Sequence, residues 1–133
     1  MNSQTVATIE STVRASLAAE IAFPEVIRRL AEVGVERYHC DYSRQEITYY
    51  LASGESHIVA ASHDAHPTGL EFQATEVAAA VRRSQRGEHT YRDFVRETMA
   101  AGCVGYFVQI TGRQVIYFGR NGDSHVEHFP PAP

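Results

Sequence analysis

At 133 residues the chain is sized for one domain, and a chain of this length buries roughly two-thirds of its unfolded surface without needing a disulfide or metal staple. The net charge is −4, and the twelve basic residues are all arginines that form no block, a balance that excludes nucleic acid as a favoured partner. No apolar run approaches the roughly 20 residues of a membrane span, and the start MNSQTVATIESTV lacks the basic-then-apolar pattern of a signal peptide, so a cytoplasmic location without membrane contact is expected.

Residues 3–21 read as a helix, because Val6, Ile9, Val13, Leu17 and Ile21 recur at three- and four-residue spacing. Pro24 opens a second helix with the stripe Val26, Ile27, Leu30 and Val33, and Gly34 is its left-handed stop. The period then changes to two: Tyr38, Cys40 and Tyr42 alternate with Arg37, His39 and Asp41. ITYYLA and ESHIVAA follow as strands, joined by Ser-Gly. Residues 62–71 are a polar link with Pro67 and Gly69. Val77 and Val81 mark a third helix ending near Gly87, and Thr90-Tyr91-Arg92-Asp93 resembles a capping box that starts a fourth. Phe94, Val95, Thr98 and Met99 give the fourth helix its buried face, and Gly102 stops it. Val104, Tyr106, Val108 and Ile110 alternate as a strand. Gly112-Arg113 suits a type II′ hairpin turn and Asn121-Gly122 a type I′ turn. The prolines of the final FPPAP argue against further sheet pairing.

The second series repeats the first. Sliding the sequence by 68 positions without a gap aligns Gly34 with Gly102, Tyr38 with Tyr106, Tyr49 with Tyr117, and Gly54, Ser56 and His57 with Gly122, Ser124 and His125. Upstream, Val13, Arg14, Ser16, Glu20 and Arg28 fall on Val81, Arg82, Ser84, Glu88 and Arg96, which makes eleven identities over 65 pairs. Unrelated sequence would give about four, so an internal duplication is expected. The expected fold class is α+β: an internally duplicated helix-helix-three-strand unit, repeats 1–65 and 69–130 of one domain, with helices covering one side of antiparallel sheet. Whether the six strands make one sheet or two stays open.

The stretches LAEVGVERYHCDYSRQEITYYLASGES and AAVRRSQRGEHTYRDFVRETMAAGCVGYFVQITGRQVIYFGRNGDSHVEHFP resemble a small bacterial family of domains of unknown function, whose members are sometimes labelled "phage envelope protein". The resemblance covers nearly the whole chain and is most specific from Arg82 to Pro130. It implies a compact cytosolic α+β protein, and it brings no catalytic set with it.

Three groups of residues carry candidate chemistry. Gly-Glu-Ser-His at 54–57 and Gly-Asp-Ser-His at 122–125 place a carboxylate, a hydroxyl and an imidazole after equivalent turns, so His57 and His125 are candidate acid–base or ligand-binding residues. Adjacent strand residues face opposite ways, which separates each serine from its histidine; His57 meeting His125 across the axis between the halves is easier. His63 and His66, and His125 and His128, have three-residue spacing that a metal could use, although a regular strand would part the second pair. Tyr38, Tyr49, Tyr106 and Tyr117, with Tyr50 matched by Phe118, could line an aromatic ligand pocket or simply pack the core. The arginine pairs 28–29 and 82–83 read as solvated faces or salt-bridge partners. Cys40 and Cys103 sit at non-equivalent positions outside any CxxC and read as reduced, packed thiols.

No cofactor is expected. The reading that results is a non-catalytic module with a small-molecule or protein partner in a groove between the halves, and a possible homodimer. The alternatives are a small hydrolase or isomerase using a histidine, and a self-associating phage or prophage component.

Overall fold

The computed structural model describes residues 1–64 and 66–130. In chain order the elements are α1 (Ser3–Leu17), α2 (Phe23–Glu32), β1 (Val35–Asp41), β2 (Glu46–Leu51), β3 (Ser56–Ala60), α3 (Ala74–Gln85), α4 (Tyr91–Ala100), β4 (Cys103–Gln109), β5 (Gln114–Gly119) and β6 (Ser124–His128). The strands form one antiparallel sheet in the order β3-β2-β1-β4-β5-β6. The fold is α+β, with the helices on one face of the sheet.

Two meanders join at the β1–β4 pair, where Arg37 faces Gln109, Cys40 faces Tyr106 and Asp41 faces Gly105. A Cβ at Gly105 would sit 2.4 Å from the Cys40 carbonyl oxygen and 3.5 Å from the Phe118 ring, so only glycine lets the central strands close at this point. The sheet order therefore reads the same from either edge. α2 and α4, β1 and β4, β2 and β5, and β3 and β6 each begin and end 68 positions apart, and α1 and α3 end 68 apart.

The inner face of the sheet carries Tyr38, Cys40, Ile47, Tyr49, Tyr106, Val108, Val115 and Tyr117, all buried against Ile9, Val13, Leu30, Val77, Val81 and Phe94 of the helices. The Tyr42 hydroxyl meets Thr98 Oγ1 at 2.9 Å inside this core, which satisfies two buried polar groups at once. The capping box of α4 forms as its sequence suggests, with Thr90 and Asp93 each bonded to the other's backbone N–H.

Three local expectations change. α1 ends at Leu17 instead of running to residue 21. Its end is closed by a Schellman pair, with Glu20 N–H donating to Ala15 O (2.9 Å) and Ala19 N–H donating to Ser16 O (3.1 Å). Ala19 holds the left-handed position at φ 60°; alanine is the strongest helix former, so the sequence carries no stop signal there. The β4–β5 connection is a four-residue loop over 110–113, with positive φ at Arg113 (59°) and Gln109 opposite Gln114, in place of a two-residue II′ turn at Gly112-Arg113. At the β5–β6 connection positive φ belongs to Gly122 (93°) and not to Asn121, and Gly119 N–H donates to Asp123 O (2.8 Å). The extra residue is absorbed as a left-handed bulge that keeps Tyr117 opposite His125; a type I′ turn would slip the pairing by one residue and reverse every side chain of β6. Pro131, Ala132 and Pro133 of the closing FPPAP lie outside the described residues, as does Ala65 in the link.

The position equivalent to Ala19 in the second half is Gly87, at φ 68° with the same pair of closing hydrogen bonds. Ala19→Gly is therefore expected to raise stability, by about 1 kcal/mol or less, because it removes the left-handed Cβ clash. Gly105→Ala is expected to cost at least about 2 kcal/mol, since the obstacle is backbone and cannot rotate away. Urea unfolding midpoints of the two variants against the parent protein check both signs.

Candidate functional site

A cavity of about 890 Å³ lies between the helices and the inner face of the sheet. Its floor is the four tyrosines Tyr38, Tyr49, Tyr106 and Tyr117, with Ile47, Val108 and Val115 between them. Much of its lining comes in pairs 68 positions apart: Val13 with Val81, Ser16 with Ser84, Val26 with Phe94. It reaches solvent where the α1–α2 connection, the α3–α4 connection and residues 128–130 meet. At this rim Phe23 is 43% exposed and packs edge-on against Phe129 at 5.7 Å.

The tyrosines reach this floor because strand alternation sends positions 38 and 49, and 106 and 117, to the same face. They pair across strands, Tyr38 with Tyr49 at 5.0 Å and Tyr106 with Tyr117 at 5.6 Å between ring centroids. Burial pushes all four phenols well up from their ordinary value, so they are neutral hydrogen-bonding groups and not latent phenolates. The Tyr106 hydroxyl is engaged with Tyr91 at 2.6 Å, and Tyr91 in turn with Cys40 Sγ at 3.5 Å. Tyr38, Tyr49 and Tyr117 hydroxyls have no hydrogen-bond partner among the described residues. Tyr50 and Phe118, which the sequence places in the same ladder, lie on the opposite, outer face.

The two cysteines are free and buried. Burial drives their thiols up to about 12 for Cys40 and about 11 for Cys103, which leaves neither available as a thiolate near neutrality.

The candidate histidines do not assemble into one site. His57 is on β3 and His125 on β6, the two outermost strands of the sheet, five strand spacings or roughly 24 Å apart. Both point to the inner face, and each has its own carboxylate: His57 Nε2 is 3.1 Å from Glu10 of α1, and His125 Nε2 is 2.5 Å from Glu127 on its own strand. Neither is among the residues lining the cavity. Ser56 and Ser124 face away from them, exposed on the outer side. His128 is exposed on the outer side of β6, parted from His125 by the regular strand. His63 and His66 stack at 6.1 Å, but both His63 nitrogens face carbonyl oxygens, of Asp64 at 2.7 Å and Tyr42 at 2.9 Å. Among the described residues no group of three or more His, Cys, Asp or Glu side chains could hold a metal ion.

Two histidines line the cavity, His128 at its rim and one that the sequence did not single out. His89, in the connection before α4, is half-buried with its side chain 7% exposed, Nε2 3.1 Å from Ser84 Oγ and Nδ1 2.5 Å from Glu97 Oε2. The contact to Glu97 is close but poorly aligned for a hydrogen bond, and Arg83, paired with the other Glu97 oxygen at 2.8 Å, leaves its Nε buried without a partner among the described residues. The sequence gives no spacing signal for this cluster, because α4 begins between His89 and Glu97 and the fold alone turns them together. The other arginines follow the ion-pair expectation: Arg28 and Arg29 pair with Glu25, and Arg82 with Glu127.

Residues 65–127 match a protein family described as Protein of unknown function (DUF1398). The match takes in α3, α4 and β4 through to Glu127 of β6, so it covers the second half of the fold. Uncharacterized proteins of Mycobacterium tuberculosis and Mycobacterium bovis are 31% identical over 58 residues, a segment that is 44% of this chain and 35% of each relative. The chain thus aligns with about a third of the length of these curated relatives. Both findings support a family of unknown function. Neither carries the phage envelope label of the sequence-level resemblance, which is unsupported. Among the described residues no helix is long and apolar enough to cross a membrane.

The matched segment ends at Glu127, the carboxylate at the β6 side of the cavity. Burial works against its ionisation, but hydrogen bonds from Arg82 and His125 outweigh it and hold its pKa below the ordinary 4.5. A carboxyl with a lowered folded pKa contributes stability that is complete above about pH 4.5 and lost as the pH falls through the folded value. Glu127→Gln is therefore expected to lower stability most near neutrality, where the ionised carboxylate contributes fully, and to converge with the parent protein as the pH falls below about 4, which flattens the acid limb. Urea midpoints measured from pH 3 to 7 on both proteins read this directly.

Proposed function

We propose that the protein is a non-catalytic module that binds a small, largely apolar, uncharged molecule in the cavity beneath its four helices. The observation that carries this reading is the tyrosine floor: an apolar chamber with three phenol hydroxyls that no group among the described residues engages. Its volume falls in the range of about 300–1,000 Å³ usual for small-molecule sites. A dry apolar void costs about 24 cal/mol per Å³, so a chamber of this size would cost roughly 20 kcal/mol. That exceeds the roughly 5–15 kcal/mol by which whole domains are stable, so the space must be filled in solution, by water on the tyrosine hydroxyls or by a ligand that replaces it. No arginine lines the chamber, and its two acidic residues, Glu20 and Glu127, lie in the lining. This charge pattern disfavours an anionic ligand. The paired lining positions support a further reading, that the chamber formed when a helix-helix-three-strand unit was duplicated and its two copies, 1–65 and 69–130, closed on each other.

A second reading, hydrolysis, is favoured by Ser84, His89 and Glu97 alone. In it His89 Nε2 takes the Ser84 proton as the serine oxygen bonds to an ester carbonyl carbon, and returns it to the departing alcohol as the ester C–O bond breaks; water then cleaves the acyl-serine by the same steps, with Glu97 beside the other nitrogen. This departs from His57 and His125, whose separation removes a joint acid–base role.

The test uses the uncharged fluorescent probe N-phenyl-1-naphthylamine and its anionic sulfonated analogue. The neutral probe is expected to bind with micromolar affinity, and Val108→Phe or Ile47→Phe, each adding volume to the floor, to weaken it at least about tenfold, near 1.4 kcal/mol. Stronger binding of the anion, or no loss in either variant, would count against the reading. Loss of a measurable p-nitrophenyl ester hydrolysis in Ser84→Ala would shift the conclusion to the second reading.

A further inference from the structure

Among the described residues no helix or strand covers the outer face of the sheet, yet it is not a wholly polar face. One cross-strand row runs its full width, in register: Ile58, Thr48, His39, Phe107, Ile116 and Val126. Its centre is closely packed and flat, with the His39 ring stacked on Phe107 at 4.3 Å and 12°, and Phe118 beside both. Its ends are among the most exposed large apolar side chains of the described residues, Ile58 at 56% and Val126 at 40%. A row in which four of six side chains are large and apolar, interrupted only by Thr48 and His39, marks an interaction surface more often than it marks bare solvent-facing sheet.

We propose that this face packs against the same face of a second copy of the chain, about a two-fold axis lying along the row. The charges flanking the row argue for a second copy over another partner. On β1, Arg37 lies two residues to one side of His39 and Asp41 two residues to the other. A two-fold rotation about the row lays each β1 antiparallel over its counterpart, so that Arg37 of each copy meets Asp41 of the other. The same operation sets Tyr50 over Glu46 and Gln109 over Gly105, and brings no two like charges of these flanking positions together. Arg37 is presented for this, its guanidinium lying 4.5 Å over the Tyr50 ring with its neighbour Glu36 as its ion-pair partner among the described residues. Asp41 uses one oxygen to accept from Ser43 and Arg44 N–H. Flatness also favours a sheet over a helix as the occupant, since aligned sheets pack face to face through such rows.

The footprint sets the strength. Six strands about 4.8 Å apart and five residues at about 3.3 Å each give a face roughly 25 by 15 Å. That lies below the roughly 800 Å² per partner of a standard interface. The expected dimer is therefore reversible, with a dissociation constant on the order of 1–100 μM.

Sedimentation equilibrium of the full chain from about 5 to 500 μM, which spans this range, tests the proposal. A monomer–dimer equilibrium is expected. Phe107→Lys should abolish it with the circular dichroism spectrum unchanged. Ile58→Lys, at an exposed position that folding does not require, should weaken it at least about tenfold. Arg37→Asp should weaken it by a similar factor through like-charge contact with Asp41, and Asp41→Asn, which keeps the turn-forming oxygen, by less. A strict monomer at the highest concentration overturns the proposal. So does a dimer that Ile58→Lys and Arg37→Asp leave intact. The cavity probe reports separately, since none of these four positions lines the chamber.

Discussion

The antiparallel pair β1–β4 is the constraint on which the rest of the structure depends. Each half supplies only a three-stranded meander with one apolar face, which is marginal by itself. Pairing the first strand of each meander makes a single six-stranded sheet, and it needs Gly105, because any side chain there would run into the Cys40 carbonyl. With that contact closed, the four inner tyrosines come from two strands on either side of one seam. The helix pairs then stand over the two halves of the same surface.

The chamber follows from that geometry. The helices meet the sheet chiefly as α2 on β1, α4 on β4, α1 on β3 and α3 on β6, two contacts near the seam and two near the edges. The space between is floored by rings that are rigid and well packed in pairs but too short to reach the helices everywhere. A phenol suits this position, since it presents an apolar body and a polar tip. The tyrosines thus pack the core through their rings and line the chamber with their hydroxyl ends, which is why packing and pocket readings of them do not conflict.

The two halves share a scaffold and differ in chemistry. Ala19 and Gly87 close equivalent helices at the same left-handed position, one with strain and one without. His57 and His125 occupy equivalent edge-strand positions, yet one is held by Glu10 of a helix and the other by Glu127 of its own strand, which Arg82 fixes. Position 59, equivalent to Glu127, is a valine. The chamber is therefore lined differently on its two sides, by Glu127 and His89 toward β6 and by Ser16 and Glu20 toward α1. A ligand entering it would meet one orientation and not two.

The sequence by itself determined the element order and the strand faces. Period-two alternation sorted Tyr38, Tyr49, Tyr106 and Tyr117 to one face, because side-chain direction along a strand depends on position alone. Gly34 and Gly102 announced two helix ends, because positive φ has a residue signature. Where a residue without that signature took the left-handed position, as at Ala19 and Arg113, the local reading failed and only the surrounding hydrogen bonds decided. Strand order was decided by tertiary structure, and with it the fate of the histidines: spacing of 68 makes His57 and His125 equivalent, but a palindromic sheet sends equivalent outer strands to opposite edges. The chamber, the His89–Glu97 contact and the uncovered outer row were likewise invisible in one dimension. Each joins residues that no local interaction links, and such contacts exist only after the β1–β4 seam has closed.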